Sequence, residues 1–430
     1  MASLLAGLLG WAKVSYYHAS DSLQLPFKNG GKTVSLAELC KAVIPPCRLN
    51  PLLFNGHLHT VWTILSGNDV AIYYKRRIFE QEDPVYHGTF AVDFAVSPNT
   101  DSDPNLPQRT TYFSDYEFDN IGSDDNRPML VALHGLSGGS DELYLRETLG
   151  PLIEQGWEAV VVNSRGCANS KLTSTVLYNA RATWDVRQVV KWLRKTFPNR
   201  PLFGIGFSLG ANMITNYAGE EGADCPLVAA VAVSNPWNLE VGSLALRRTW
   251  IHSMYHKTLA ENMKKVFMHH SDALLKNPNL DLDKILSVKD LCEFDRYVQC
   301  PTWGYPTEGA YYRDASSVDA LMAIRIPFLG ISAEDDPVAS VEALPYEEAK
   351  VTPYVVLCTT NLGGHLGWFE VGGGRWFARA VTNFFQKLAK DVQLDGYSRT
   401  EHSGEASLDK RQSLKPVFNP TAKKLPLYVK

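Results

Sequence analysis

Leu202-Phe203-Gly204-Ile205-Gly206-Phe207-Ser208-Leu209-Gly210-Ala211-Asn212-Met213 decides how the rest of the chain is read. The first six residues are apolar or glycine, as in a strand buried on both faces. Leu209–Gly219 then reads as a helix. Between them, Gly206-Phe207-Ser208-Leu209-Gly210 fits the pattern G-x-S-x-G. Three fixed positions are weak evidence alone; the strand ahead and the helix behind make them informative. A strand-to-helix elbow that sharp forces the serine into a strained backbone conformation and exposes its hydroxyl. Any side chain at the flanking glycines would strike the neighbouring strand and helix, and the helix N-terminus favours developing negative charge. Ser208 is the candidate nucleophile.

Outward from the elbow, apolar runs alternate with helical segments. Met129–His134, Ala159–Asn163, Leu227–Val233, Pro327–Ser332 and Tyr354–Cys358 read as strands, with two more at Phe90–Phe94 and Thr110–Phe118. Asp141–Gly156, Ala180–Phe197 and Arg375–Leu388 read as helices. That rhythm specifies a mostly parallel central sheet with helices on both faces. It breaks at Trp237 and resumes near 323, so 237–322 reads as a helical lid inserted between two parts of the core, 91–236 and 323–390. Residues 1–90 read as an irregular N-terminal extension packing on the core, and 391–430 as a flexible tail.

An elbow on such a sheet is the arrangement of the α/β-hydrolase fold, whose partners follow in the chain order Ser, acid, His. A serine hydroxyl needs a base to take its proton. His365, in Asn361-Leu362-Gly363-Gly364-His365, follows the last strand, and its glycines let the loop fold back over the site; of eleven histidines it alone has this placement. The acid comes from Glu334-Asp335-Asp336, of which only one carboxyl can face the imidazole. Asp336, directly before Pro-Val, has the better position, and Asp335 remains the alternative. An oxyanion hole needs two backbone N–H groups. Leu209, after the nucleophile, and Leu136, after His134-Gly135, are the candidates. The glycine-rich loop at 135–139 lacks the Lys-Ser/Thr of a P-loop and the spacing of a dinucleotide fingerprint.

Composition sets the remaining bounds. Hydrophobic residues make up 45% and charged residues 20% of 430 positions, and the net charge of −4 with no basic run excludes a nucleic-acid partner by charge. Seven cysteines without a CxxC pair read as reduced thiols in a cytoplasmic protein. The apolar stretch Leu4–Trp11 is too short to span a bilayer and reads as a buried helix, though its length also permits peripheral contact with a membrane or lipid droplet. His57 and His59 have metal-like spacing without a third ligand and read as structural hydrogen bonders. Arg165 reads as an anchor, and His269 and His270 as surface residues. The chemistry requires no cofactor or metal.

The segments NPLLFNGHLHTVW, VALHGLSGGS, VVVNSRGCANS, GIGFSLGANM, SAEDDPVAS and GGHLGW together resemble the AB hydrolase 4 family, over roughly residues 48–390. That family includes fungal medium-chain fatty acid ethyl ester synthase/esterases and related lipid hydrolases. The resemblance implies a Ser-Asp-His triad at Ser208, Asp336 and His365. It also implies an acyl-serine intermediate, formed from a medium-chain ester or acyl-CoA and resolved by water or an alcohol such as ethanol. Ala339 and Ser340 depart from the family pattern, which often has proline shortly after the acid. Alternatives are a monoacylglycerol or phospholipid lipase, a hydrolase of specialised acyl substrates, and a non-catalytic ligand-binding protein on the same fold.

Overall fold

The computed structural model describes residues 10–394, apart from 29, 68, 69 and 102. The expected tail therefore falls outside the described residues from 395 onward, as does the apolar stretch up to Leu9.

Ten strands form one sheet: β1 Val14–Tyr17, β2 Tyr73–Glu80, β3 Thr89–Val96, β4 Thr110–Tyr112, β5 Met129–Leu133, β6 Glu158–Val162, β7 Leu202–Phe207, β8 Leu227–Val233, β9 Phe328–Ala333 and β10 Val355–Thr360. Their order is β1-β10-β9-β8-β7-β5-β6-β3-β2-β4. The run from β10 to β6 is parallel throughout, while β1 and β3 flank it antiparallel. β5, β7, β8, β9 and β10 are buried at every residue, which is why they read as apolar runs, broken only near the ends of β9 and β10 by Ser332, Thr359 and Thr360.

The helices that matter to the site are α1 Leu36–Val43, α2 Gly56–Leu65, α3 Leu143–Ile153, α4 Trp184–Thr196, α5 Leu209–Glu221, α6 Trp250–His269 and α7 Trp376–Asp391. α5 is buried from Leu209 to Gly219, and Ser208 at its N-cap makes no side-chain capping hydrogen bond. The amphipathic α7 turns Phe377, Val381, Phe384 and Leu388 to the core. Its start is two residues beyond Gly374 in the Gly372-Gly373-Gly374 turn, where all three glycines take positive φ.

Two features differ from the sequence reading. The first 90 residues are not an irregular preamble: among the described residues they supply two strands of the large sheet, four short strands paired outside it, and two α-helices. β1 pairs with β10 at the sheet edge, where its four residues are only half-buried. β2 hides its character behind Lys75, Arg76 and Arg77. Arg76 nevertheless points inward, fully buried, and donates from Nε and Nη2 to Asp93 on β3 at 2.6 and 2.8 Å. The second difference lies at the end of the apolar stretch, where Trp11–Ala12 pair as a strand with Cys47–Arg48 instead of lying in a helix.

Between β8 and β9 the described chain is helical, from Leu239–Ala245 through α6 to Glu308–Ala315. Its two ends meet at one neck, since the Trp237 carbonyl accepts from the N–H groups of Ser317 and Val318, both at 3.0 Å. Asn212 and Asn216 of α5 donate to the Ala315 carbonyl from below, at 2.8 and 2.9 Å. Phe267, Trp303, Tyr311 and Tyr312 are buried, so much of the aromatic content of 237–322 is core.

Candidate active site

Ser208 sits between β7 and α5 with φ 52° and ψ −116°, a region that L-residues rarely adopt. The glycines on either side are dictated by contact. A Cβ on Gly206 would lie 2.1 Å from the Gly210 carbonyl oxygen, and one on Gly210 would lie 2.4 Å from that of Leu133. Ser208 N–H donates to the Val233 carbonyl at 2.9 Å, which ties the elbow to β8. Surroundings that over-determine the backbone in this way can hold a strained residue in place.

His365 and Asp336 reach this serine from the ends of β10 and β9. His365 Nε2 is 2.9 Å from Ser208 Oγ, and His365 Nδ1 is 2.8 Å from Asp336 Oδ2. The other oxygen, Asp336 Oδ1, accepts the N–H groups of Val338 and Ala339, both at 2.8 Å. A carboxylate can only accept, so Nδ1 carries the ring proton and Nε2 is left to accept from the serine hydroxyl. Of the three adjacent acids, the structure brings Asp336 to the histidine. Glu334 turns away to accept from Thr359 Oγ1 at 2.8 Å.

Asp335 has a separate task. Its Oδ1 accepts the Gly364 N–H at 3.0 Å, beside the histidine. Burial pushes its carboxyl up to about 6, partly countered by the backbone N–H of Gly364. The histidine loop is pinned residue by residue. The Thr60 hydroxyl accepts the His365 N–H at 2.8 Å and itself donates to the Gly56 carbonyl at 2.7 Å. The Ser234 hydroxyl accepts the Leu366 N–H at 3.1 Å, and Arg375 Nε donates to the Leu366 carbonyl at 2.9 Å. Leu366 and Trp368 hold positive φ, so the loop depends on these partners.

Sequence reading missed α2 as part of the site. A Cβ on Gly56 would lie 2.0 Å from the Asp335 carbonyl oxygen, and one on Gly364 would lie 2.2 Å from that of Gly56. The helix and the histidine loop therefore touch backbone to backbone. His59 is fully buried and its Nδ1 accepts the Phe369 N–H at 3.2 Å; burial lowers its imidazole to about 4. His57 meets the Tyr255 hydroxyl at 3.1 Å. Both histidines thus act as hydrogen-bonding groups.

The Leu136 and Leu209 amides have no acceptor within the protein among the described residues. Their neighbours are occupied: Gly135 N–H donates to the Tyr144 hydroxyl and Ser137 N–H to that of Tyr178, at 2.8 and 2.9 Å. A Cβ on Gly135 would be 3.4 Å from Ser208 Cβ, so this loop lies against the serine. A buried network holds it from beneath, with Ser140 and Asn163 both donating to Asp93 Oδ2 at 2.6 and 2.8 Å. Arg165 is the anchor its position implied. It is paired with Asp185 at 2.8 Å and donates to the carbonyls of Tyr86 and His87. His270, read from sequence as a surface residue, is buried instead and bonds the Gly166 carbonyl at 2.9 Å, because α6 folds down onto that turn.

α6 spans the site. Near its start, burial and then the Asp336 carboxylate raise the Tyr255 phenol. Two turns on, Met263 Sδ accepts from the Tyr178 hydroxyl at 3.3 Å, beside the loop of Ser137. Eight residues of helix cover about 12 Å, enough to cross from the acid side of the site to the loop beside the serine.

The family model for the α/β hydrolase fold matches residues 128–370. The chain belongs to the α/β-hydrolase family. A monoacylglycerol lipase of Saccharomyces cerevisiae is 34% identical over 86% of this hydrolase and 88% of its own length. Medium-chain fatty acid ethyl ester synthase/esterase 2 of the same yeast is 30% identical over 86% and 93%. Phospholipase ABHD3 of Mus musculus is 34% identical over 65% and 66%. By these relatives the hydrolase is of the esterase and lipase type. No helix among the described residues is long and apolar enough to cross a membrane.

Proposed function

We propose that the hydrolase is a serine esterase and acyltransferase acting on medium-chain acyl esters or acyl-CoA, with Ser208, His365 and Asp336 as its triad. The observation that carries this is the unbroken line Ser208 Oγ, His365 Nε2, His365 Nδ1, Asp336 Oδ2, at 2.9 and 2.8 Å. Ser208 Oγ attacks the acyl carbonyl as His365 Nε2 takes the hydroxyl proton. The Leu136 and Leu209 amides, which have no acceptor of their own, hold the resulting oxyanion. His365 passes its proton to the departing alcohol or thiol, leaving an acyl-serine. Water or a short alcohol such as ethanol then gives its proton to His365 and attacks the acyl carbon; the bond to Ser208 Oγ breaks as His365 returns that proton to the serine, releasing acid or ester.

The segment 237–322 serves as a lid in this reading, supported by the contacts of α6 with His57 of α2 and with Tyr178, which holds the Ser137 N–H. A lid that excludes water favours an alcohol acceptor over hydrolysis. We read the enzyme as cytoplasmic, from seven cysteines whose spacing shows no CxxC pair. Turnover of p-nitrophenyl esters of increasing chain length, with and without ethanol, tests the proposal. Activity is expected to peak at medium chains and to divert from acid to ethyl ester when ethanol is present. A product that stays entirely acid removes the transferase half. Preferential cleavage of monoacylglycerol favours the second reading, a monoacylglycerol lipase, which the 34% identity with the yeast lipase supports.

Thr60 enters this mechanism as a positioning residue. Thr60→Val keeps the shape and removes the acceptor for the His365 N–H. A loop displaced by a fraction of an ångström is expected to lower kcat about tenfold to a hundredfold with KM little changed. Thr60→Ser should recover most of the loss, and steady-state kinetics on one ester reads both. Equal kcat in Thr60→Val and wild type removes Thr60 from the mechanism.

A further inference from the structure

The hydrolase carries an apolar face beside its site that nothing in the described fold covers. From Leu52 to the end of α2 at Leu65 there is no Asp, Glu, Lys or Arg. Gly56, His59 and Thr60 turn inward to the histidine loop, whereas Val61, Trp62, Ile64 and Leu65 face solvent. Ile64 is 79% exposed, and in the preceding turn Leu52 and Phe54 are 80% and 72% exposed. A surface helix ordinarily presents polar residues to water, and α2 does not.

The start of α6 lies alongside. The His57 ring is 5.6 Å from that of His252 and stacks at 5.7 Å on Tyr255. One turn apart on the same helix, Trp250 and Met254 are 74% and 58% exposed. Scattered exposed apolar residues are ordinary, but a set gathered from two segments at the edge of a site marks an interaction surface.

A third segment converges there. Leu49 N–H donates to the Gly10 carbonyl at 2.7 Å, and a Cβ on Gly10 would lie 3.3 Å from Pro51 Cγ. Gly10 therefore lies against Leu49 and Pro51, directly before Leu52.

We propose that this face, built from Leu52, Phe54, Ile64, Leu65, Trp250 and Met254, seats the hydrolase on an uncharged or zwitterionic lipid surface, so that substrate enters the site from the apolar phase. The choice of lipid as occupant rests on the lipid-ester reading above. It is supported by the lack of charge along Leu52–Leu65, which gives anionic headgroups nothing to pair with. Tryptophan beside aliphatic residues is the mixture that settles at a lipid–water boundary.

Sedimentation of the full-length Ser208→Ala chain with phosphatidylcholine vesicles tests this, with and without the added changes Ile64→Gln, Leu65→Gln and Trp250→Gln. The Ser208→Ala chain is expected to pellet, and the added changes to weaken partition at least about 30-fold. With Ser208 restored, the same three changes should leave turnover of dissolved p-nitrophenyl acetate as in wild type and slow turnover of an ester held in vesicles. Failure of the Ser208→Ala chain to pellet, or equal binding by both chains, overturns the proposal. So does a dimer in solution that the three changes dissolve, since the occupant is then a second copy. Absent turnover of p-nitrophenyl acetate by wild type sinks the esterase reading and leaves the vesicle result standing.

Discussion

Ser208→Ala is expected to lower ester turnover about 10⁴-fold or more and to leave the fold intact. Among the described residues the hydroxyl bonds only to His365, so its removal frees just the Nε2 of a partly exposed ring. The strained φ of 52° is set by the Gly206 and Gly210 contacts and the Val233 carbonyl, none of which the substitution touches. Residues of such a set act as a unit, so adding His365→Ala to Ser208→Ala should cost little beyond either change alone. On the proposed mechanism, what survives is expected to come from the Leu136 and Leu209 amides and from binding. A fluorophosphonate probe should label wild type at Ser208 and fail on the variant. A variant with more than about a tenth of wild-type turnover would mean that another nucleophile does the chemistry.

How much of this was legible in the sequence followed from how each part is buried. Strands β5 to β10 were legible because both faces are covered and nearly all of their positions are apolar, the polar ones (Glu158, Ser332, Thr359 and Thr360) falling at the strand ends. β1 was not, because at the sheet edge its residues Val14–Tyr17 are all half-exposed and carry no alternation. β2 was masked by Arg76, whose charge reads as surface although Asp93 satisfies it in the interior. The helix α2 lacks the apolar and polar faces that betray a surface helix, since its outward residues are apolar as well. In the site, Ser208 and His365 announced themselves by the glycines that any elbow and any folded-back loop require. Thr60 could not, being one hydroxyl 305 positions before the residue whose N–H it accepts. Adjacent in sequence, Asp335 and Asp336 could be told apart only by the direction each carboxyl takes.

That pair carries the second large effect. Asp336→Asn is expected to lower kcat/KM by about 10⁴, and Asp335→Asn by less than about tenfold. Asp336 Oδ1 accepts two N–H groups, from Val338 and Ala339, so an asparagine must keep its oxygen there and turn its NH₂ toward His365 Nδ1. The imidazole then has to accept at Nδ1 and carry its proton on Nε2, where it can no longer receive the proton of Ser208. At Asp335 an amide oxygen can still accept the Gly364 N–H, so the loop stays in place. The charge lost there is read by pH. Burial pushes the Asp335 carboxyl up to about 6, so its contribution to stability is fully present below the unfolded value of about 4 and is lost as pH rises through about 6. Asp335→Asn should therefore melt higher than wild type at pH 8, with the gap closing toward pH 4. If Asp335→Asn proves the crippling change and Asp336→Asn the mild one, the triad drawn from the 2.8 Å contact is wrong and the acid is Asp335.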